Sequence, residues 1–433
     1  MAVSPLGSMR TLLLFGAAML LGGSCAVVDD VLGKKNDEPP GPLVSQRRRA
    51  TAVGSEAGAA GSALATAGSA GVGGAGNDGG GAGSAGADTG PGPVDLNCDR
   101  EACDAQGGEC EGDTCIIDCN DRSNNCNDNP LECPDGANCV VNCEDEDTCT
   151  DEIVCPDGGD CTVNCTELGT CTALIDCAAS SNCEVNCDGL ESCAQNFEVD
   201  GGSSNLTVNC DENDSCIGAA LDCGTAGCTL NCAGDGSCTT NIVLDSERAE
   251  INCNGADSCG VLLDCSQAAL GCDINCRGLG SCADAVSCGA RGGVGACTIA
   301  CLGEQSCDEG IDCIADRCDL SCDNTSCGGD VICAAGSPGC DISCDVESCG
   351  GAVSCSADGE CNVQCDGDQS CFRSVECLSV EADCQVVCTG DDSCEDVQCT
   401  AEEGTCELNC QGNDSCAGGT TCTARTERGD CSL

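Results

Sequence analysis

The chain of 433 residues contains no histidine, no tryptophan and no tyrosine, and only three phenylalanines, Phe15, Phe197 and Phe372. Without an imidazole there is no Ser-His-Asp or Cys-His machinery and no histidine-ligated metal. Without Trp and Tyr there are no aromatic platforms for stacking sugars. Basic residues are scarce too: 15 Lys+Arg stand against 74 Asp+Glu, a formal net charge of -59. That charge repels nucleic acid and anionic lipid head groups, so neither is expected as a direct partner.

What the chain has in abundance is cysteine, 57 in all, well above the roughly 8–10% that marks a disulfide scaffold in a short secreted chain. The first segment is an export signal rather than structure. Residues 1–25 carry Arg10, then the apolar run from Thr11 to Leu21, then Gly22-Gly23-Ser24-Cys25, with Met1 or Met9 as the start. The run is too short to span a bilayer and has the layout of a secretory signal. Its ending resembles the lipobox of bacterial lipoproteins, with the large apolar residue at Leu21, one place earlier than usual. The resemblance implies lipidation of Cys25. Residues 26–94, rich in Gly, Ala and Ser, cannot bury enough apolar surface to offset their ordering entropy and are expected to act as a disordered tether.

From residue 95 to 433 the chain repeats. A cysteine marks the frame at 98, 119, 143, 165, 187, 210, 232, 253, 276, 301, 322, 344, 365, 388 and 410, at intervals of 21 to 25 residues. Fifteen frames at this period mean a solenoid or an array. The consensus frame holds four cysteines. An aliphatic residue such as Ile117, Val163 or Ile274 lies midway between the first and second, and another, such as Ile153 or Val353, lies two places before the fourth. Period-two alternation of Cys with mostly β-branched residues predicts two short strands per frame that share an inner face. Neither strand can bury that face alone, so frames must stack in parallel. The expected fold is an all-β, disulfide-rich parallel β-solenoid of about 15 coils with a repeat of about 22 residues.

Pairing follows from cysteines that vanish together. In one frame the fourth Cys becomes Val199 and the next first Cys becomes Leu206; in another the same positions hold Leu244 and Ala249. Both replacements are apolar, as expected when a packed pair replaces a buried cystine. Second is therefore paired with third within a frame (Cys143–Cys149, Cys365–Cys371), and fourth with the following first (Cys177–Cys183, Cys355–Cys361). Fifteen links of the first kind and thirteen of the second leave Cys25 alone, which lipidation would explain. With so thin an apolar core, cross-links must replace burial.

The 22-residue period resembles the coils of right-handed parallel β-helices. The recurring Asn-Cys at Asn142, Asn164, Asn186, Asn209, Asn231, Asn252, Asn275 and Asn409 resembles the stacked Asn ladder of that fold. The whole chain resembles Cys-rich repeat lipoproteins of bacterial surfaces, which implies an outer-membrane or cell-surface location, or release outside the cell.

Candidate chemistry is sparse. The body carries a net charge of -58, and Asp211, Asp214, Asp366, Asp368, Asp391 and Asp392 are hard-oxygen candidates for Ca²⁺. Their surroundings vary between frames and match no EF-hand or Gly-rich nonapeptide, so a solvated anionic surface with weak divalent binding is expected, and no cofactor. Thiolate metal storage would use C-x-C or C-x-x-C spacing in a reducing compartment, which the five-residue gaps and the export signal oppose. A Ser/Thr column before the third Cys, from Thr148 to Ser415, suits turn hydrogen bonding rather than an ice-binding array. The residues predict a non-catalytic surface lipoprotein with a structural, adhesive or protective role, touching the membrane through its lipid and meeting an unnamed surface protein or glycan. Two alternatives are a Ca²⁺-dependent binding module for polysaccharide or protein, and a β-helix polysaccharide lyase or hydrolase. No polar cap is evident after Cys431, so end-to-end association of rods is a further expectation.

Overall fold

The computed structural model describes residues 98–424 and 431–432, apart from 121–125, 128, 195–196, 203 and 290–294. The signal segment 1–25 with Cys25 and the tether 26–94 lie outside the described residues.

The body opens on a cap. Asp99 accepts from the N–H groups of Glu101 and Ala102 at 3.0 and 3.2 Å, starting the helix α1 (Arg100–Ala105). A tight turn then joins β1 (Glu109–Glu111) to β2 (Thr114–Cys119), the two running antiparallel.

From β2 onward the pairing is parallel and in register. Long strands such as Asn138–Cys143, Asp160–Cys165 and Asn182–Cys187 stack so that Cys lies over Cys and aliphatic over aliphatic: Cys139 on Cys161, Val141 on Val163, Cys143 on Cys165. The stack continues through Ala296–Cys301 and Glu360–Cys365 to Cys406–Cys410. Short strands such as Ile153–Val154 and Val353–Ala357 form the second side. Along each long strand the inner residues are buried and the alternate ones face out, as in Cys161, Val163 and Cys165 against Thr162 and Asn164.

The solenoid has about 13 turns rather than 15. The frame at Cys98 is not a coil, because its segment folds as the helix-and-hairpin cap. The last marker, Cys410, begins a turn described only through Gly419–Ala424 and the short strand Cys431–Ser432, which stacks on Cys406 and Glu407. At about 4.8 Å per stacked strand the rod is roughly 60 Å long.

Two columns of disulfides run up the interior. One joins the end of each long strand to the following turn, as in Cys143–Cys149, Cys187–Cys193 and Cys365–Cys371. The other joins each short strand to the next long one, as in Cys177–Cys183 and Cys355–Cys361. Where the second column lacks cysteine, Val199, Leu206, Leu244 and Ala249 fill the space at no more than 1% exposure, and Phe197 is buried just before Val199. The cap breaks the pairing rule. Its links are Cys98–Cys110 and Cys103–Cys115, not neighbour to neighbour, because α1 and the hairpin fold back on each other instead of coiling.

The turn after each long strand has its own conformation. From Cys149 to Cys416 its cysteine is left-handed, with φ of 54° at Cys149, 51° at Cys193 and 54° at Cys394. A non-glycine residue there costs on the order of 1–2 kcal/mol. The disulfide and a backbone ladder hold it: the N–H of Cys193 donates to the Thr170 carbonyl at 2.9 Å, and that of Cys216 to the Ser192 carbonyl at 3.0 Å. The Ser between is buried, and Ser215, Ser237, Ser258, Ser306, Ser370 and Ser393 each donate to the carbonyl three residues back at 2.7–2.8 Å.

In the same turn glycines of successive coils touch. A Cβ on Gly278 would lie 1.8 Å from the Gly255 carbonyl oxygen, so the coils must part to admit one. Gly278→Ala is expected to cost about 1–3 kcal/mol as an overpacking change. Hydrogen exchange checks it: amides around residue 278 should exchange faster and those of distant coils should not.

Candidate functional site

The outer face of the long strands carries the most ordered polar array. Asn142 donates to the Asp118 carboxylate at 2.7 Å, and Asn164, Asn186, Asn209, Asn231, Asn252 and Asn275 each donate to the amide oxygen one coil earlier at 2.7–2.9 Å. The amides all point one way and end on a carboxylate, which can only accept. Asn409 is not part of this run; its neighbour in the preceding coil is Val387, and it accepts from Gln411 instead.

The ladder stops where Ala300 follows Asn275. Ala300, Ser321 and Ser343 are small, and they floor a groove of about 210 Å³ edged by Thr298, Asp319, Asp341, Asn362 and Gln364. Its carboxylates are engaged: Arg317 reaches Asp319 at 2.9 Å and Asp341 at 3.6 Å, and Asn362 donates to Asp341 at 2.8 Å. This groove was not legible as a site, because it is made by a ladder ending and small residues following, not by a motif.

The six acidic candidates lie in the turns. Asp366 accepts from the Thr389 hydroxyl at 3.1 Å, Asp368 from the Asp391 N–H at 3.0 Å, and Asp391 from the Asn413 N–H at 2.8 Å. Asp214 and Asp392 are left-handed turn residues whose N–H groups donate to the Asp235 and Asn413 carbonyls. Asp211 is exposed beside Asp188. Asp366, Asp368 and Asp391 therefore bond vertically, each to the coil above, a role that the sequence could not show. Close groups of sulfur ligands also occur, such as Cys143, Cys149 and Cys171, but these atoms are committed to disulfides.

Two carboxyls respond oppositely to these surroundings. Burial first, then the charges of Asp211 and Glu212, raise the pKa of Asp188. The backbone N–H and hydroxyl of Thr405, both 2.7 Å away, lower that of Asp383. Ionised Asp188 therefore opposes folding: its favourable contribution is full below the ordinary carboxylate range and is lost as pH rises through its raised value. Asp383 favours folding above that range and loses its contribution as pH falls through its lowered value. Asp188→Asn is expected to raise the denaturation midpoint at pH 7 and to leave it unchanged well below the usual value of 3.8; Asp383→Asn should lower it at pH 7 only. Non-reducing denaturation at the two pH values checks both.

No known protein family, curated protein or solved structure matches the chain. The fold is nonetheless defined as a disulfide-stapled parallel β-solenoid. Disulfides at this density belong to an oxidising compartment. Among the described residues no helix is long and apolar enough to cross a membrane.

Proposed function

We propose that the protein is an exported structural rod, held at a bacterial surface by a lipid on Cys25 and spaced from it by residues 26–94. One observation carries the reading: the most ordered polar groups of the outer face and turns, the Asn ladder and carboxylates such as Asp368, are spent on joining coil to coil, while the buried Ser column closes its own turns. A chain so committed to its own rigidity suits a load-bearing, adhesive or shielding role. The odd cysteine count supports the anchor, since Cys25 has no partner by the pairing rule.

The test is mass spectrometry and fractionation of the exported protein beside Cys25→Ser. Acylated Cys25 in the wild type, with release of the variant into the medium, is the expected result. Surface retention of Cys25→Ser sinks the anchored-rod reading. Calcium-dependent melting would favour a calcium-dependent binding module instead, and turnover of an anionic polysaccharide would favour a lyase or hydrolase.

A further inference from the structure

We propose that the body has a further function as an extensible element: under axial tension its coils leave the stack one at a time, and the disulfides hold each released coil to nearly the same length. This deepens the reading of a load-bearing rod and takes from it only the load.

The disulfides do not join coil to coil. Stacked neighbours lie one coil apart in the chain, as with Val141 on Val163 and Val163 on Val185. Among the described residues the links of the coils join cysteines five to nine residues apart, from Cys313–Cys318 to Cys288–Cys297, and those of the cap span twelve. Each link therefore closes a small ring within the winding of the chain, and none ties a residue to the one stacked on it. Coil holds coil through backbone ladders and side-chain bonds such as Asn209 to Asn186. These bonds run along the rod, across the strands, so tension between the ends of the stack loads them in series. Each coil touches only its neighbours and can part without breaking those further on.

A released coil cannot straighten fully, because its rings stay shut. The coil from Cys165 to Cys187 contains Cys165–Cys171 and Cys177–Cys183, each with Cα atoms 6.0 Å apart. A taut chain crosses each ring through its disulfide. Only the six residue steps from Cys171 to Cys177 and the four from Cys183 to Cys187 stretch. The coil then reaches about 47 Å instead of about 77 Å, a gain of about 42 Å over its stacked spacing.

The coils differ in size but hardly in this quantity. Their intervals run from 21 to 25 residues, and the variation falls inside the rings. The longest coil, Cys276–Cys301, has rings of six and nine, while the short coil Cys301–Cys322 has rings of six and five; in both, six steps and then four lie outside. Insertions thus sit where they add no length under load. Two coils lack the second link, where Val199 with Leu206 and Leu244 with Ala249 replace it, and these release about 55–60 Å.

The experiment pulls the full oxidised chain by tags at its two termini in single-molecule force spectroscopy. Beside it stands the double variant Cys177→Val, Cys183→Leu, which copies the replacement at Val199 and Leu206. The expected record is a series of steps, most near about 42 Å and two of about 55–60 Å, with one of the shorter steps lengthened to about 57 Å in the variant. Release of the whole body in a single event overturns unwinding by coils. Steps of about 70–80 Å, the length of unlinked coils, overturn the disulfide limit, as does a variant whose steps are unchanged. Should the variant fail to fold, the wild-type step sizes decide. The instrument supplies the load, so these outcomes are independent of Cys25, whose acylation decides the anchored-rod reading separately.

Discussion

Full reduction of the body in native buffer is expected to abolish the β-sheet circular dichroism signal and to raise its rate of proteolysis by at least about a hundredfold. Most coils bury only one or two aliphatic side chains larger than alanine besides their cysteines, as in the coil with Ile299 and Ile311. Stability must therefore come from elsewhere. Closing a loop of about seven residues removes on the order of 2 kcal/mol of chain entropy from the unfolded state. The links are not additive, but even a handful equals the whole net stability of an ordinary domain, about 5–15 kcal/mol. Reduction also leaves buried thiols with poor hydrogen-bonding partners and a net charge of -58 with nothing covalent to oppose its self-repulsion. Reduced and alkylated protein that keeps its sheet signal and protease resistance would mean that stacking alone holds the coils, and that the disulfides are secondary.

Most of the architecture was legible because the repeat compares the chain with itself. Period two placed Val163 and Ile274 inward, and the joint replacement of two cysteines by Val199 and Leu206 pointed to a buried cystine at their equivalents. Three features were not legible, each for a physical reason. The cap links Cys98–Cys110 and Cys103–Cys115 follow from a helix and hairpin that no repeat predicts, although Asp99 before Arg-Glu-Ala is a recognisable helix start. The left-handed backbone at Cys149 and its equivalents has no sequence signal, since cysteine does not favour it; the disulfide and the ladder impose it. The turn carboxylates look like cation ligands when read singly, because the group they bond to belongs to the next coil, as with Asp368 and the N–H of Asp391. Asn409 shows the same limit in reverse: its Asn-Cys context is identical to the ladder's, but ladder membership depends on the neighbouring coil, where Val387 stands.

Deleting residues 166–187 is expected to give a folded protein one coil shorter, whereas deleting 166–176 is expected to unfold the region around it. The first deletion joins Cys165 to Asp188, and every lost contact has an equivalent waiting. Val163 takes the place of Val185 beneath Val208, and Cys161 takes that of Cys183 beneath Leu206. Asn164 accepts from Asn209 in place of Asn186. Cys165 loses Cys171 and meets Cys193, the former partner of Cys187, so no thiol is left over. The rod shortens by about 4.8 Å. The half-period deletion removes Cys171 and the strand Leu174–Asp176 with it, leaving an odd cysteine and bringing Cys177 directly against Cys165. In a stack whose energy is a sum over neighbouring coils, the first change removes one term and the second breaks the stack. Thiol counting and limited proteolysis separate the outcomes: no additional free thiol and near-wild-type resistance for the full-period deletion, a free thiol and rapid cleavage near residue 165 for the half. Equal damage from both would mean that the coils are not interchangeable, and that the rod depends on contacts beyond nearest neighbours.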